Sequence, residues 1–241
     1  MLLGLVSAKG SPGVSTAALA LTAVAGDSGL FVELDPSGGS VECWTGATGE
    51  PGLIRVANGL RRAIDPKSLL AHAVAAPTGV RSVLAPTAGG LAESTIAMTG
   101  DRLVPALAEL EAMVVVDGGR WSRSQPTARR VAGCDVIGVV CAPTVEGVEA
   151  ARWLIDPLRS TVVGPVVLVL VGDRPYSPPE VAAVVGVPVL GVLAWDARGV
   201  NALLTTGAGR GWSRSALARS ARSMLDAVAS LSGESSGVGC A

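Results

Sequence analysis

Seven short apolar runs, nearly unbroken in Val, Leu and Ile, recur along the chain with longer Ala-rich segments between them. The runs cover residues 2–7, 30–34, 80–84, 113–116, 136–141, 166–171 and 187–193. A strand with one wet face alternates apolar and polar residues; these runs do not, so both faces must be covered, as in a parallel sheet. The intervening segments at 15–25, 66–75, 101–111, 127–132, 145–160, 179–185 and 197–205 carry helix-forming composition. Some also carry start signals, such as Asp65 before Pro66 and Ser177 before Pro178 and Pro179. Regular alternation of this kind predicts an α/β fold: a single doubly wound, mostly parallel sheet with helices on both faces. One domain is expected over 1–231, closed by a last helix at 213–231, with a disordered Ser/Gly-rich tail over 232–241.

Composition narrows the functions available. With 19 Lys and Arg against 20 Asp and Glu, the net charge of −1 excludes a protein that coats nucleic acid over its whole surface. Hydrophobic residues at 49% supply a full core and exclude wholesale disorder. Cysteines 43, 134, 141 and 240 form no Cys-x-x-Cys pair, and His72 is the one histidine, so no zinc site and no disulfide framework are expected. Residues 1–25 mimic a secretory leader, with Lys9, an apolar run and Ala23-Val24-Ala25. The lysine, however, follows an apolar run instead of preceding one, and Gly10-Ser11-Pro12-Gly13 interrupts the pattern. No apolar stretch reaches the ~18–20 residues of a membrane span. A cytoplasmic protein is expected.

In doubly wound sheets ligands sit beyond the carboxyl ends of the strands. The segment after the first run, Ser7-Ala8-Lys9-Gly10-Ser11-Pro12-Gly13-Val14-Ser15-Thr16, has the Gly-rich form that lets backbone amides converge on phosphate at a helix N-terminus. It lacks the G-x-G-x-x-G spacing of dinucleotide sites. It also lacks the ordinary P-loop lysine before Ser15, where Val14 stands. Asp35 follows the second run and Asp117 the fourth. Each alone reads equally as a loop cap or as a metal ligand, whereas together with Ser15 they suit a metal site. The loop itself reads either as an anion cup or as a turn kept for packing.

Lys9 to Thr16 resembles the deviant Walker A loop, K-G-G-x-G-K-[ST]-T, of the ParA/MinD family of P-loop ATPases. Phe31-Val32-Glu33-Leu34-Asp35-Pro36 resembles that family's second-strand motif, and Val114-Val115-Val116-Asp117 its Walker B strand. The resemblance spans about residues 1–231 and implies a P-loop NTPase-like fold. It implies ATP held by Lys9, Gly10, Ser11, Pro12, Gly13, Val14, Ser15 and Thr16, and Mg2+ held by Ser15, Asp35 and Asp117. It assigns catalytic roles to Lys9, which reaches the phosphates of a partner subunit, and to Asp35, near the attacking water. Loops with the pattern Gly13-Val14-Ser15-Thr16 are similar to the TadZ/CpaE branch, which implies a homodimer serving a Tad or type IV pilus-like secretion machine at the inner face of the membrane. Loss of a lysine that bonds phosphate, at ~1.5–3 kcal/mol per charge-assisted bond, implies weak ATP binding and weak or absent hydrolysis. Where relatives place a base-contacting asparagine, Asp173-Arg174-Pro175 stands here.

Two further features invite other readings. Arg120, Arg123, Arg129 and Arg130 make a local basic patch without an acid, open to DNA or an acidic membrane surface. The last helix carries Leu217, Ala221, Met224, Leu225, Val228 and Leu231 on one stripe, which either packs on the sheet or meets a membrane. The alternatives to a nucleotide switch are therefore a pseudo-ATPase scaffold that binds no nucleotide and a DNA- or membrane-surface positioning protein.

Overall fold

The computed structural model describes residues 1–9, 13–46, 52–62, 65–75 and 79–235. Eight strands form one sheet: β1 Leu2–Ser7, β2 Gly29–Glu33, β3 Val74–Ala75, β4 Arg81–Val83, β5 Met113–Arg120, β6 Val136–Cys141, β7 Val166–Val171 and β8 Val189–Leu193. Their order is β3-β4-β2-β5-β1-β6-β7-β8, with every pair parallel except β3 and β4. Each of the seven apolar runs became a strand, because each side chain along them has a helix-covered face to enter.

Side chains on alternate sides of β1 enter two separate cores. Leu3 and Leu5 join Phe31, Val115, Val140 and Val169 under one helical layer. Leu2 and Val6 join Leu30, Val32, Val114, Val116 and Val139 under the other. The helices in chain order are α1 Val14–Ala25, α2 Val41–Thr45, α3 Gly52–Arg61, α4 Gly89–Met98, α5 Leu103–Ala108 and α6 Pro126–Ala132. They continue with α7 Val145–Arg159, α8 Pro178–Val185, α9 Ala197–Thr206, α10 Arg210–Ser213 and α11 Ala216–Ser235.

Several local expectations are corrected. Residues 66–75 were expected to be one helix; they form a 3-10 turn at Pro66–His72 and then enter β3, where Val74 and Ala75 pair with Ser82 and Arg81. Helices α3 and α4 stand where no helix was expected; Gly52, Gly59 and the Gly89-Gly90 start obscure both in the sequence. The final helix is interrupted after Ser213 and runs on to Ser235. Its stripe faces the protein: Leu217, Ala221, Met224 and Val228 are buried in the core shared with α1. Among the described residues no helix is long and apolar enough to cross a membrane.

The chain winds from β1 outward to β2 and β4, returns to β5 beside β1, and then proceeds the other way through β6, β7 and β8. The reversal at β1 opens a crevice at its carboxyl end, the position at which such sheets bind ligands.

Candidate functional site

Ser7 ends β1, and its hydroxyl donates to the Lys9 carbonyl at 2.7 Å, turning the chain out of the sheet. Lys9 is exposed. Gly10, Ser11 and Pro12 lie outside the described residues. The chain re-enters at Gly13, whose φ of 93° is a left-handed conformation that glycine adopts without strain. Helix α1 then opens with no side-chain cap and no acidic residue in its first turn. Its first intrahelical bond comes from Ala17 N to Gly13 O at 2.8 Å, so the amides of Val14, Ser15 and Thr16 precede the helical ladder. Donors of this kind, with the helix dipole behind them, attract an anion. Val14 is 5% exposed and belongs to the core cluster that holds Leu3 and Ala17.

Three carboxyl groups gather beside this helix head: Glu33 ends β2, Asp35 stands two residues beyond it, and Asp117 lies inside β5, which continues past the expected end of the fourth run to Arg120. Asp117 is fully buried. Its Oδ1 accepts Gly119 N at 3.0 Å, while Oδ2 has no hydrogen-bond partner among the described residues. Burial pushes its pKa up to about 6. The Ser15 hydroxyl and the Gly119 amide offset part of that push, and the charge of Asp35 adds to it. Ser15 thus lies close enough to favour the ionised form without completing a bond to Oδ2. Asp35, half-buried, accepts Ser37 N at 2.8 Å and packs on Gly119, where a Cβ would stand 2.3 Å from its Cγ. A bulge in the pairing of β1 with β5, with Gly119 at φ 59°, makes this approach possible.

The third group, Glu33, was not foreseen as part of the site. It pairs in register with Asp117 and is 1% exposed. Its Oε1 accepts Ser40 N at 2.7 Å and Val41 N at 3.2 Å, and its Oε2 accepts Ala85 N at 3.1 Å. Glu33 therefore ties the start of α2 and the end of β4 to β2, with its acceptors already occupied. Burial, and next the neighbouring Asp117, push its pKa up to about 7. The one signal in the sequence was an acid inside an otherwise apolar run.

The structure brings Ser15, Asp35 and Asp117 near one another, although only Asp117 is fully buried. Hard oxygen donors and an orphaned buried carboxylate oxygen fit Mg2+, which is held through one or two carboxylates plus phosphate oxygens. Among the described residues no three His, Cys, Asp or Glu side chains form an all-protein metal cage.

A cavity of about 400 Å3 adjoins the helix head, reaching from Gly13 and Thr16 to Val171, Trp195, Asn201 and Leu217. The segment at 173–175 does not line it. The arginine patch is corrected: Arg130 is buried, donating to the carbonyls of Ile96 and Ala97 and to Thr99 Oγ1, which closes the end of α4. Arg123 is exposed but engages Pro157 O and Ser160, leaving Arg120 and Arg129 as outward-facing members.

The sheet and its helical layers have counterparts in solved structures. The chain aligns with a ParA family ATPase from Chlorobium tepidum TLS at a TM-score of 0.79 and 18% identity, covering 93% of this chain and 98% of that one. The fold is that of the ParA/MinD P-loop ATPases. The septum site-determining protein MinD from Pyrococcus horikoshii OT3, solved with Mg-ADP, aligns at a TM-score of 0.69 and 15% identity over 98% of this chain and 99% of that one. A variant of McdA from Cyanothece, in complex with ATP, aligns at 0.62 and 15% identity over 96% of both chains. No protein-family model and no curated protein sequence matches the chain. The ParA/MinD fold thus extends over nearly the whole chain at a sequence identity that speaks for architecture alone.

Proposed function

We propose that the protein is a ParA/MinD-like, nucleotide-dependent dimerising switch with weak or absent ATP hydrolysis. The observation that carries this reading is Asp117 Oδ2, buried and unpartnered beside the uncapped head of α1. A buried carboxylate oxygen without a donor is costly, and a divalent cation arriving with a polyphosphate removes that cost. Ser15, Asp35 and Asp117 would hold Mg2+, which when bound neutralises phosphate charge. The amides of residues 13–16 would hold the phosphates, with Gly10, Ser11 and Pro12 completing the loop. The cavity beyond Thr16 has room for the nucleoside.

Hydrolysis is weak in this reading because position 14 supplies no cation to the phosphates. Val14 is packed in the core, and exposed Lys9 is the remaining cation of the loop. Lys9 would reach the nucleotide of a partner subunit, so the homodimer forms only when loaded. The loop's likeness to the TadZ/CpaE branch supports an output in recruiting protein partners of a Tad or type IV pilus-like machine at the inner membrane face. Thermal melting with Mg-ATP and with Mg2+ alone, combined with light scattering, tests the reading. Stabilisation by Mg-ATP, with a shift to dimer that Lys9→Ala abolishes, is the expected result. A melting temperature unmoved at millimolar Mg-ATP would instead leave a pseudo-ATPase scaffold.

A further inference from the structure

The carbonyl of Leu34, the residue just before Asp35, lacks the partner that a regular sheet would give it. Leu34 N donates to Asp117 O at 2.7 Å, continuing the parallel pairing of β2 with β5. The next bond of an evenly spaced parallel ladder would run from Gly119 N back to Leu34 O. Gly119 instead turns at φ 59° and gives its amide to Asp117 Oδ1 at 3.0 Å. The diverted amide serves a carboxylate of the proposed metal site, and it leaves a main-chain acceptor in the interior without its ladder donor. Thr127 supplies the replacement. The residue is 1% exposed, and its hydroxyl donates to Leu34 O at 2.8 Å.

Thr127 reaches that carbonyl because α6 lies against bare backbone. A Cβ at Gly118 would stand 2.9 Å from Val131 Cγ2, so the helix approaches β5 as closely as a glycine permits. Val131 follows Thr127 by four residues, on the same face of α6. Arg130 anchors the same helix, donating to Ile96 O and Ala97 O. The Thr127 hydroxyl is therefore carried on a fixed element.

We infer that Thr127 is a positioning residue of the magnesium site: by taking over the Leu34 carbonyl, it frees the Gly119 amide for Asp117 and fixes the peptide from which Asp35 emerges. The inference rests on the nucleotide-switch reading and deepens it, because α6 then belongs to the geometry of the site. Thr127 acts through Asp35 and Asp117 and not by contact with the ligand. Without its hydroxyl, the Leu34 carbonyl competes for the Gly119 amide, and the bulge relaxes toward a regular ladder.

The test measures ATP binding to the full chain by calorimetry, once with Mg2+ and once with EDTA, for the wild type, Thr127→Val and Thr127→Ser. The ratio of the two affinities is the magnesium dependence. Thr127→Val should reduce that ratio by about 10- to 100-fold, the usual effect of losing a group that orients a metal ligand. It should leave ATP binding in EDTA within about twofold, since the amides at the head of α1 are untouched. Thr127→Ser keeps the donor and should keep the ratio. Melting temperatures should fall for both substitutions, Val through the unpaired carbonyl and Ser through the lost methyl, so stability alone does not report the role. In the Asp117→Asn background, Thr127→Val should change the ratio no further.

A Thr127→Val protein with a lower melting temperature and a ratio within about threefold of wild type would make the bond structural only. That result overturns the inference and leaves the switch standing. If Thr127→Val does not fold, Thr127→Cys, with a weak S–H donor, takes its place, and a loss smaller than that predicted for Val is expected. No loss in Thr127→Cys likewise overturns the inference. A wild type that binds no ATP, or binds it equally without Mg2+, removes the reading beneath the inference, and the inference with it.

Discussion

Glu33 and Asp117 lie opposite each other in the parallel pairing of β2 with β5, and both are closed off from water. Burial, and then the charge of Asp117, raise the cost of ionising Glu33, whereas burial and then Asp35 raise that of Asp117. Glu33 offsets that cost with three backbone donors, whereas Asp117 keeps an unpaired oxygen. The asymmetry separates a strut from a ligand.

Stability should fall as pH rises through the range in which this pair ionises. The Glu33 pKa is raised from 4.5 to about 7, so above 4.5 the folded state keeps a proton that the unfolded chain releases. Its contribution is full below 4.5 and lost by the time pH passes 7, roughly 3 kcal/mol in all. Urea unfolding between pH 5 and 8 should show this slope in the wild type and a flatter one in Glu33→Gln. Equal slopes in the two proteins would remove Glu33 from this role.

Asp117→Asn should stabilise the ligand-free protein and abolish its response to magnesium. The substitution removes a buried charge with an unpaired oxygen, a gain of about 1–3 kcal/mol at pH 8. It also removes the anionic ligand. Unfolding with and without 10 mM Mg2+ plus ATP, a concentration on the order of that needed for weak sites, separates the effects. A variant still stabilised by Mg-ATP as much as wild type would contradict the metal assignment.

Gly119→Ala should be poorly tolerated. The residue sits at φ 59°, and a Cβ there would meet the Asp35 carboxyl within 2.3–2.7 Å. Either Asp35 moves or the bulge flattens, at a cost on the order of 1–3 kcal/mol. Chemical denaturation reports the loss, which should come with weakened Mg-ATP binding. Unchanged stability would mean that the bulge does not hold Asp35 in place.

Val14→Lys should raise ATP affinity at least tenfold, while lowering ligand-free stability by about 1–2 kcal/mol. The valine is packed in the core, so the lysine stem must replace it there and carry its ammonium out toward the phosphates. Calorimetry gives the first quantity and unfolding the second. A loss of stability with no gain in affinity would place position 14 outside the cup.

Arg130→Ala should cost about 2–3 kcal/mol, and Arg129→Ala within about 0.5 kcal/mol of nothing. Arg130 closes the end of α4 from a buried position; Arg129 is exposed. Equal melting temperatures for the two variants would show that these bonds do not hold α4.

The amino-acid sequence by itself determined the parallel sheet. Unbroken apolar runs such as those of β1, β6 and β7 have no stable place except between two helical layers, and that requirement is local to each run. It also placed Asp35 and the glycine-led loop beyond strand ends, since the carboxyl edge of a sheet follows from strand direction, whereas Asp117 lies inside a strand that runs on to Arg120. Tertiary structure alone decided which side chains those positions leave free. Arg130 looked like surface charge until α4 lay against it, and Val14 looked like a wall of the cup until it turned into the core. Glu33 became a strut, and Trp195 the lip of a cavity, only when distant segments closed around them. Burial and hydrogen-bond partnership depend on residues far apart along the chain, and no local pattern encodes them.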